Sequence, residues 1–224
     1  MLWNTWTILI LLAGAAAGYL LGSVNFAIII TRLFGKGDIR DYGSGNAGMT
    51  NVLRTVGKGA AALTLLGDFS KGILSVIFVR LLLLLYAWAS GTPVSSTVLA
   101  DYIVAYAALL GHVFPLFYHF KGGKGILVSA GCMLILGPWS LVICLAAFLL
   151  LAVTTQYISV GSIAAGVAYP IANGLVTWAQ TGQIGWLEVC LALPIAALVI
   201  FLHRANIRRL LTHTESKVSF RKKQ

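Results

Sequence analysis

The chain has 224 residues, of which 59% are hydrophobic and only 10% are charged, whereas soluble domains contain about 25% charged residues. This composition excludes an ordinary soluble protein and argues against a nucleic-acid partner, because no soluble domain remains to bind one. The formal net charge of +10 is typical of a membrane protein with basic cytoplasmic loops. We therefore predict an all-α, polytopic membrane protein that forms a single domain over residues 1–224.

Seven hydrophobic runs follow one another and predict about seven transmembrane helices. They cover residues 6–30, 60–86, 98–120, 126–136, 141–153, 163–178 and 187–202. No Lys or Arg precedes the first run, so we expect a retained helix rather than a cleaved signal peptide. The fourth and fifth runs are shorter than the about 20 residues of a full span. A re-entrant hairpin there, with five spans in total, is the alternative.

The distribution of basic residues predicts the orientation of the chain. Lys and Arg cluster at residues 32–58, at 121–124 and from 204 to the end, whereas the connections 88–97 and 179–186 contain none. The positive-inside rule then places the N-terminus outside and the C-terminus in the cytoplasm. We expect the segments that meet at the cytoplasmic face to form one composite site: residues 33–59, 119–125, 154–162 and 203–213.

A glycine-rich, basic loop follows the first run, at residues 43–54. Glycines allow turns that direct backbone N–H groups at an anion, and hydroxyl, amide and guanidinium groups add donors. Residues 48–56 are expected to form a short helix on which Thr50, Asn51 and Arg54 share a face, so that Arg54 can clamp an oxyanion. An ordinary capped polar turn is the alternative. The residues predicted to bind a phosphate here are Ser44, Gly45, Asn46, Gly48, Thr50, Asn51 and Arg54.

The second run contains three charged residues, and charge within a span is costly and usually faces a polar interior. Asp68 and Lys71 stand three residues apart on the predicted helix. Either they neutralise each other, or Lys71 helps to neutralise a substrate phosphate that Asp68 orients. For Arg80 we expect a snorkelling side chain or one paired with a partner.

A second glycine-rich loop, Lys121-Gly122-Gly123-Lys124-Gly125, follows the third run. It lacks the G-x-x-x-x-G-K-[ST] spacing and the preceding strand of a nucleotide-binding P-loop, so nucleotide hydrolysis is not supported. We predict phosphate binding by residues 121–124, with a basic turn that only sets topology as the alternative. His112 lies close before this loop and either belongs to the site or packs between helices.

Two further polar segments are predicted on the same face. Residues 154–162 are uncharged but rich in hydroxyl groups, including Ser159 and Ser162. His203 and Asn206 stand three apart at the end of the last run and would share a helix face. A histidine there can act as a general base or donate a hydrogen bond to phosphate, or it can be an ordinary polar residue at a helix end.

Some kinds of chemistry are not indicated. The three cysteines and four histidines show no metal-site spacing, and Asp38 with Asp41 is only a weak carboxylate pair. No histidine is followed five positions later by aspartate, and no serine or cysteine stands in a nucleophile elbow. We therefore expect direct transfer between two bound substrates, without a metal, a cofactor or a covalent enzyme intermediate.

Taken together, these motifs resemble those of the bacterial PlsY family of acyl-phosphate:glycerol-3-phosphate acyltransferases. The resemblance spans most of the chain and rests on several motifs in order. They are Gly43-Ser44-Gly45-Asn46, Thr50-Asn51-Val52-Leu53-Arg54, Gly57-Lys58-Gly59, Asp68 with Lys71-Gly72, Gly111-His112, Phe120 to Gly125, Ser159 with Gly161-Ser162, and His203 with Asn206-Ile207 and Arg209-Leu210.

The resemblance implies transfer of a fatty acyl group from acyl phosphate to the 1-hydroxyl of glycerol 3-phosphate. The products would be lysophosphatidic acid and phosphate, in the first step of phospholipid synthesis at the inner membrane. The site would face the cytoplasm, and no protein partner, coenzyme A or acyl carrier protein would be needed. It also implies substrate contacts at Ser159, Ser162, Asn206 and Arg209.

The residues fit this chemistry, because both substrates carry phosphate and the loops supply positive charge. We expect Ser44, Asn46 and loop N–H groups to hold the acyl phosphate and the developing oxyanion. Lys124 and Arg54 would hold phosphate groups. His203 and Asn206 would orient glycerol 3-phosphate, and the base is either His203 or an oxygen of the donor's own phosphate. The alternatives are a transporter of phosphorylated metabolites and a related lipid-forming transferase with another acyl donor.

Overall fold

The structure is a computed structural model that describes residues 4–93 and 96–218. All regular elements within these residues are helices, which confirms the all-α prediction. The α-helices are α1 (Thr5–Ser23), α2 (Phe26–Leu33), α3 (Met49–Thr55), α4 (Lys58–Ser90), α5 (Val98–Val113), α6 (Ile126–Leu136), α7 (Pro138–Thr155), α8 (Ile158–Thr181), α9 (Trp186–Leu202) and α10 (Arg204–Leu211). Two short 3-10 turns, Ile39–Asp41 and Leu116–Tyr118, lie in the loops.

The chain divides into two compact units, residues 1–136 and 137–224. The first contains α1 to α6 and the second α7 to α10. The single-domain prediction stays a prediction. Residues 221–223 of the basic C-terminal cluster, and residues 94 and 95 of the connection 88–97, lie outside the described residues.

The helices confirm a polytopic membrane protein. Within the described residues, five segments are long and apolar enough to cross a membrane: Thr5–Leu33, Lys58–Ser90, Val98–Tyr118, Pro138–Thr155 and Ile158–Thr181. Helices α9 and α10 together would add a sixth, although they meet at an angle of 51°. The remaining predicted run forms α6, which has 11 residues. At about 1.5 Å per residue it covers roughly half of a bilayer core about 30 Å thick.

The fifth run forms a longer helix than the sequence predicted. Helix α7 begins at Pro138. Proline suits the first helical turn, because the N–H groups of that turn have no acceptor within the helix and the missing one is not needed. At its other end, the hydroxyls of Thr154 and Thr155 donate to the carbonyls of Leu150 and Leu151, which lets polar residues complete the last turn. The helix therefore has 18 residues instead of the expected 13, long enough for a span.

Glycines let the helix backbones of the first unit approach closely. A Cβ atom at Gly22 of α1 would overlap the Ala108 carbonyl of α5, and one at Gly111 of α5 would overlap the Tyr19 carbonyl of α1. Gly72 of α4 meets the Val128 carbonyl of α6 in the same way. Small residues at such crossings are typical of membrane helices, where packing supplies much of the association energy.

Arg80 of α4 forms an ion pair with Asp101 of α5, which is the second of the two possibilities that the sequence left for this residue. Its Nε and Nη2 lie 3.1 Å and 2.8 Å from Asp101 Oδ1 and Oδ2 of α5. Thr97 Oγ1 donates to the same carboxylate, which is 2% exposed. Nη2 also donates to the Ile135 carbonyl in the last turn of α6, so one guanidinium joins α4, α5 and α6.

We predict that Asp101→Leu lowers the stability of the protein by roughly 3 kcal/mol, because it leaves the guanidinium without its counter-charge. The double variant Arg80→Met/Asp101→Leu should recover much of this loss, because it removes both charges. Thermal unfolding in one detergent measures both effects. A double variant less stable than Asp101→Leu would contradict this explanation. It would show that the contacts of Arg80 stabilise the fold even when its counter-charge is absent.

Candidate active site

The first loop is shaped by the buried side chain of Asn51 in α3. Its Nδ2 donates to the carbonyls of Ile39 at 3.1 Å, Tyr42 at 2.9 Å and Asn46 at 3.1 Å. Its Oδ1 accepts from the backbone N–H of Ser44 at 3.2 Å. The two hydrogens of Nδ2 are thus shared among three carbonyls, and one amide gathers four backbone groups of the loop around itself.

Two glycines make this wrapping possible. Gly43 and Gly45 have φ angles of 57° and 69°, in the left-handed region that favours glycine. A Cβ atom at Gly43 would also overlap Asn51 Oδ1. The tight turn leaves the Ser44 side chain exposed and Asn46 half-buried.

The short helix predicted over residues 48–56 is confirmed as α3. Thr50 is half-buried and Arg54 is exposed, but Asn51 is 2% exposed and is directed into the loop. The three side chains therefore do not present one common face, because the amide of Asn51 hydrogen-bonds backbone groups of the loop. Gly48 is the N-cap of α3, and because glycine has no side chain, no side chain at this position caps the helix.

The second loop folds back onto the end of α5. The N–H groups of Gly122 and Gly123 donate to the carbonyls of Val113 and His112, both at 3.1 Å. A Cβ atom at Gly123 would overlap His112 Nε2 and lie 2.5 Å from the carbonyl oxygen of Ala47 in the first loop. The two glycine-rich loops therefore meet at Gly123, as the sequence predicted for segments 33–59 and 119–125.

A further contact, between the residues that precede or begin the two loops, was missed by the sequence analysis. Arg40 binds Asp38 with two parallel hydrogen bonds, from Nε at 2.9 Å and from Nη2 at 2.8 Å. Its Nη1 donates to the carbonyls of Tyr118 at 2.9 Å and Lys121 at 3.1 Å. The Arg40 hydrogen bond holds the pKa of Asp38 below its usual value, so the carboxylate is ionised at neutral pH. The sequence offered only an Asp-x-Arg triplet as a signal.

Asp68, Lys71 and His112 form a closed cluster beneath the loops. Lys71 Nζ lies 2.9 Å from Asp68 Oδ1 and 2.9 Å from His112 Nδ1. It also donates to the carbonyls of Gly22 at 3.0 Å and Val24 at 2.7 Å. The Lys71 side chain is 3% exposed. This arrangement confirms the pairing of Asp68 and Lys71 and does not support a direct contact of either with a substrate phosphate.

In the second unit, His203 lies between α9 and α10 rather than within one helix. His203 and Asn206 are therefore the N-cap and the third residue of α10 instead of two positions within the last long helix, and their shared face stays a prediction. His203 Nδ1 lies 2.8 Å from the Val199 carbonyl, and because a carbonyl can only accept, Nδ1 carries the hydrogen. In the neutral ring Nε2 then has the lone pair, which is the form that can accept a proton from a hydroxyl group.

Three of the predicted substrate-binding side chains converge on Glu215, which the sequence analysis did not single out. Ser159 Oγ, Asn206 Nδ2 and Arg209 Nε lie 3.0 Å, 2.8 Å and 2.6 Å from its carboxylate. The Glu215 side chain is 4% exposed. Its only sequence signal was a lone acidic residue in a basic tail. Burial alone would raise the pKa of Glu215, but the hydrogen bonds from these side chains outweigh it and lower the pKa.

The remaining predicted residues occupy simpler positions. Ser162 Oγ donates to the Ile158 carbonyl of its own helix, Lys124 is half-buried, and Lys121 is exposed. In the part of the chain that the structure describes, no three His, Cys, Asp or Glu side chains are placed to hold a metal ion. The expectation that all four polar segments form one site stays a prediction.

Comparisons with known proteins agree on one family. A family model described as "Glycerol-3-phosphate acyltransferase" matches residues 12–213. A protein of that name from Bordetella pertussis is 42% identical over 209 residues, which is 91% of this chain and 90% of that protein. One from Neisseria meningitidis serogroup B is 40% identical over 203 residues, covering 91% and 94%.

A solved structure is similar as well. The crystal structure of PlsY, an integral membrane glycerol 3-phosphate acyltransferase in its glycerol 3-phosphate form, superposes with a TM-score of 0.74 at 31% identity. The alignment covers 93% of this chain and 96% of that one. Its lysophosphatidic acid form gives a TM-score of 0.71.

We predict that Glu215→Gln lowers the unfolding temperature at pH 7. Because the folded-state pKa of Glu215 lies below its unfolded value of about 4.3, the ionised carboxylate stabilises the fold above about pH 4.3. That contribution is lost as the pH falls through the folded-state pKa. The difference between the two proteins should therefore shrink below about pH 4.

The exposed Asp41 provides the matched control. Asp41→Asn should leave the unfolding temperature at pH 7 nearly unchanged, because exposed charges contribute little. A gap between Glu215→Gln and the original protein that does not narrow between pH 7 and pH 3 would contradict the ionic role of Glu215.

Proposed function

The chain belongs to the glycerol-3-phosphate acyltransferase family, and from this premise we propose that its acyl donor is an acyl phosphate and its product is lysophosphatidic acid. The protein is a membrane acyltransferase, so the transport hypothesis is set aside. We place the reaction at the cytoplasmic face of the inner membrane, with no obligatory protein partner.

The meeting of the two glycine-rich loops at Gly123 supports this proposal most directly. It brings segments with Arg54, Lys121 and Lys124 into one unit, and each substrate carries a phosphate that needs such charge. Gly122 and Gly123 hold the second loop with their backbone N–H groups, which fixes the backbone between Lys121 and Lys124. In this proposal Lys124 and Arg54 hold phosphate groups.

Acyl phosphate is an activated anhydride, so positioning and charge stabilisation suffice for most of the catalysis. The 1-hydroxyl oxygen of glycerol 3-phosphate attacks the acyl carbon, the bond from that carbon to the phosphate oxygen breaks, and phosphate leaves. Ser44, Asn46 and loop N–H groups stabilise the oxyanion that forms in between. The acyl chain remains among the hydrophobic spans.

The proton of the attacking hydroxyl goes either to His203 Nε2 or to an oxygen of the donor's phosphate. The hydrogen bond from His203 Nδ1 to the Val199 carbonyl supports the first route, because it keeps the lone pair on Nε2. Asn206 would orient glycerol 3-phosphate beside it. The hydrogen bond from Asn206 to Glu215 fixes the orientation of its amide group.

The donor is tested with purified protein in a lipid mesophase or in detergent. Glycerol 3-phosphate is supplied with palmitoyl phosphate or with palmitoyl-coenzyme A, and lysophosphatidic acid and phosphate are measured. We expect product from palmitoyl phosphate alone. Product only from palmitoyl-coenzyme A would overturn the donor, and no product from either, with the fold verified, would overturn the proposed reaction.

We predict that Lys124→Ala lowers kcat/KM by about 100-fold or more, because it removes a positive charge from a phosphate contact. The unfolding temperature should change little. Lys58→Ala is the matched control, since Lys58 is an exposed lysine at the start of α4. Near-normal turnover of Lys124→Ala would remove this residue from the site.

We predict that His203→Gln lowers kcat by roughly 100-fold or more, as loss of a general base does. His213→Gln, at an exposed histidine of the tail, controls for the loss of an imidazole and should keep its kcat. If His203→Gln keeps most of kcat, the donor's phosphate is the base.

A further inference from the structure

Lys71 occupies a position where its bonds to the protein are complete. An ammonium group has three N–H donors, and four acceptor atoms lie within 3.0 Å of Nζ: Asp68 Oδ1, His112 Nδ1 and the carbonyl oxygens of Gly22 and Val24. With its side chain 3% exposed, Lys71 has no hydrogen left for a substrate. Its charge is used inside the protein.

The two carbonyls that Lys71 binds belong to a break in the first span. Helix α1 ends at Ser23 and α2 begins at Phe26, so the carbonyls at this junction lack their normal helical partners. Unpaired backbone groups are costly in a membrane segment, where water cannot replace the missing bonds. Lys71 supplies those bonds and thereby connects the α1–α2 junction to α4.

His112 extends this connection to the second loop. Its Nδ1 faces the Lys71 ammonium, which can only donate. The contact between Nδ1 and Lys71 thereby fixes the ring. Its other nitrogen, Nε2, lies so close to Gly123 that a Cβ atom at Gly123 would overlap it. The carbonyl of His112 also accepts the Gly123 N–H at 3.1 Å. Both the ring and the main chain of His112 therefore define where Gly123 can sit.

We propose that Asp68, Lys71 and His112 form a positioning unit for the second loop instead of contacting substrate. Lys71 holds the imidazole ring of His112, the ring and backbone of His112 set the position of Gly123, and Gly123 lies against Ala47 of the first loop. The unit thus fixes the phosphate-binding loops relative to each other. The effect on catalysis rests on the proposed function, whereas the effect on the position of the second loop does not.

Hydrogen exchange tests the structural consequence without any activity assay. The variants are His112→Asn, whose Oδ1 can still accept from Lys71, and Lys71→Met; the controls are His119→Asn and Lys58→Met, at exposed positions. We expect faster exchange in peptides that cover residues 120–126 for both variants and for neither control. Unchanged exchange there would overturn the proposal, and so would faster exchange spread evenly over all helices.

Kinetics of single and double variants tests whether His112 acts through Gly123. We expect His112→Asn to raise the KM for one of the two phosphate-bearing substrates by about tenfold, with a smaller change in kcat. Gly123→Ala should be impaired by overlap with His112, and His112→Asn/Gly123→Ala should lose less than the product of the two single effects, because the ring that the new methyl group meets is gone.

Multiplicative effects in that double variant would show that His112 does not act through Gly123 and would overturn the proposal. A parent protein without acyl transfer would end the proposed function, while the exchange experiment would still decide the positioning unit. If Lys71→Met does not fold, His112→Asn alone carries both measurements, since it retains the acceptor for Lys71.

Discussion

The buried ammonium of Lys71 is the interaction on which the first unit depends. Its three hydrogens are directed to the carbonyls of the α1–α2 junction and to His112 at the end of α5, and the Asp68 carboxylate of α4 lies 2.9 Å away as its counter-charge. The 3-10 turn Leu116–Tyr118 separates the end of α5 from the second glycine-rich loop. In the proposed positioning unit, the charge on Lys71 of α4 acts on that loop through His112. The cost of burying the charge is offset by this complete set of partners.

Lys71 shares one feature with Arg80 and Arg40: each binds main-chain carbonyls where regular structure ends. Arg80 binds the Ile135 carbonyl in the last turn of α6, and Arg40 binds those of Tyr118, at the end of a 3-10 turn, and of Lys121, at the start of the second loop. Each is also paired with a carboxylate, from Asp68, Asp101 or Asp38. A helical membrane protein with short, broken helices leaves such carbonyls without partners, and these ion pairs satisfy them.

The sequence predicted the features that depend on hydrophobicity, on spacing along one helix and on loop composition. The runs became helices, Asp68 paired with Lys71 three residues later, and the glycine-rich loops met. It did not predict contacts between distant side chains, such as Asn206 and Arg209 with Glu215, because nothing in their spacing indicates that the tail folds back. Asn51 was predicted to bind phosphate. The sequence alone cannot distinguish an asparagine that hydrogen-bonds its own loop from one that binds a phosphate.

The reciprocal glycine contacts between α1 and α5 have a mechanical consequence. Gly22 faces the Ala108 carbonyl and Gly111 faces the Tyr19 carbonyl, so each backbone fits into a notch of the other. Sliding one helix along the other would bring a residue with a Cβ atom to the place of Gly22 or Gly111, so the reciprocal contacts oppose such a shift. Gly22 itself offers its carbonyl to Lys71, and Gly111 directly precedes His112, so the same crossing holds two of the partners of Lys71 next to each other.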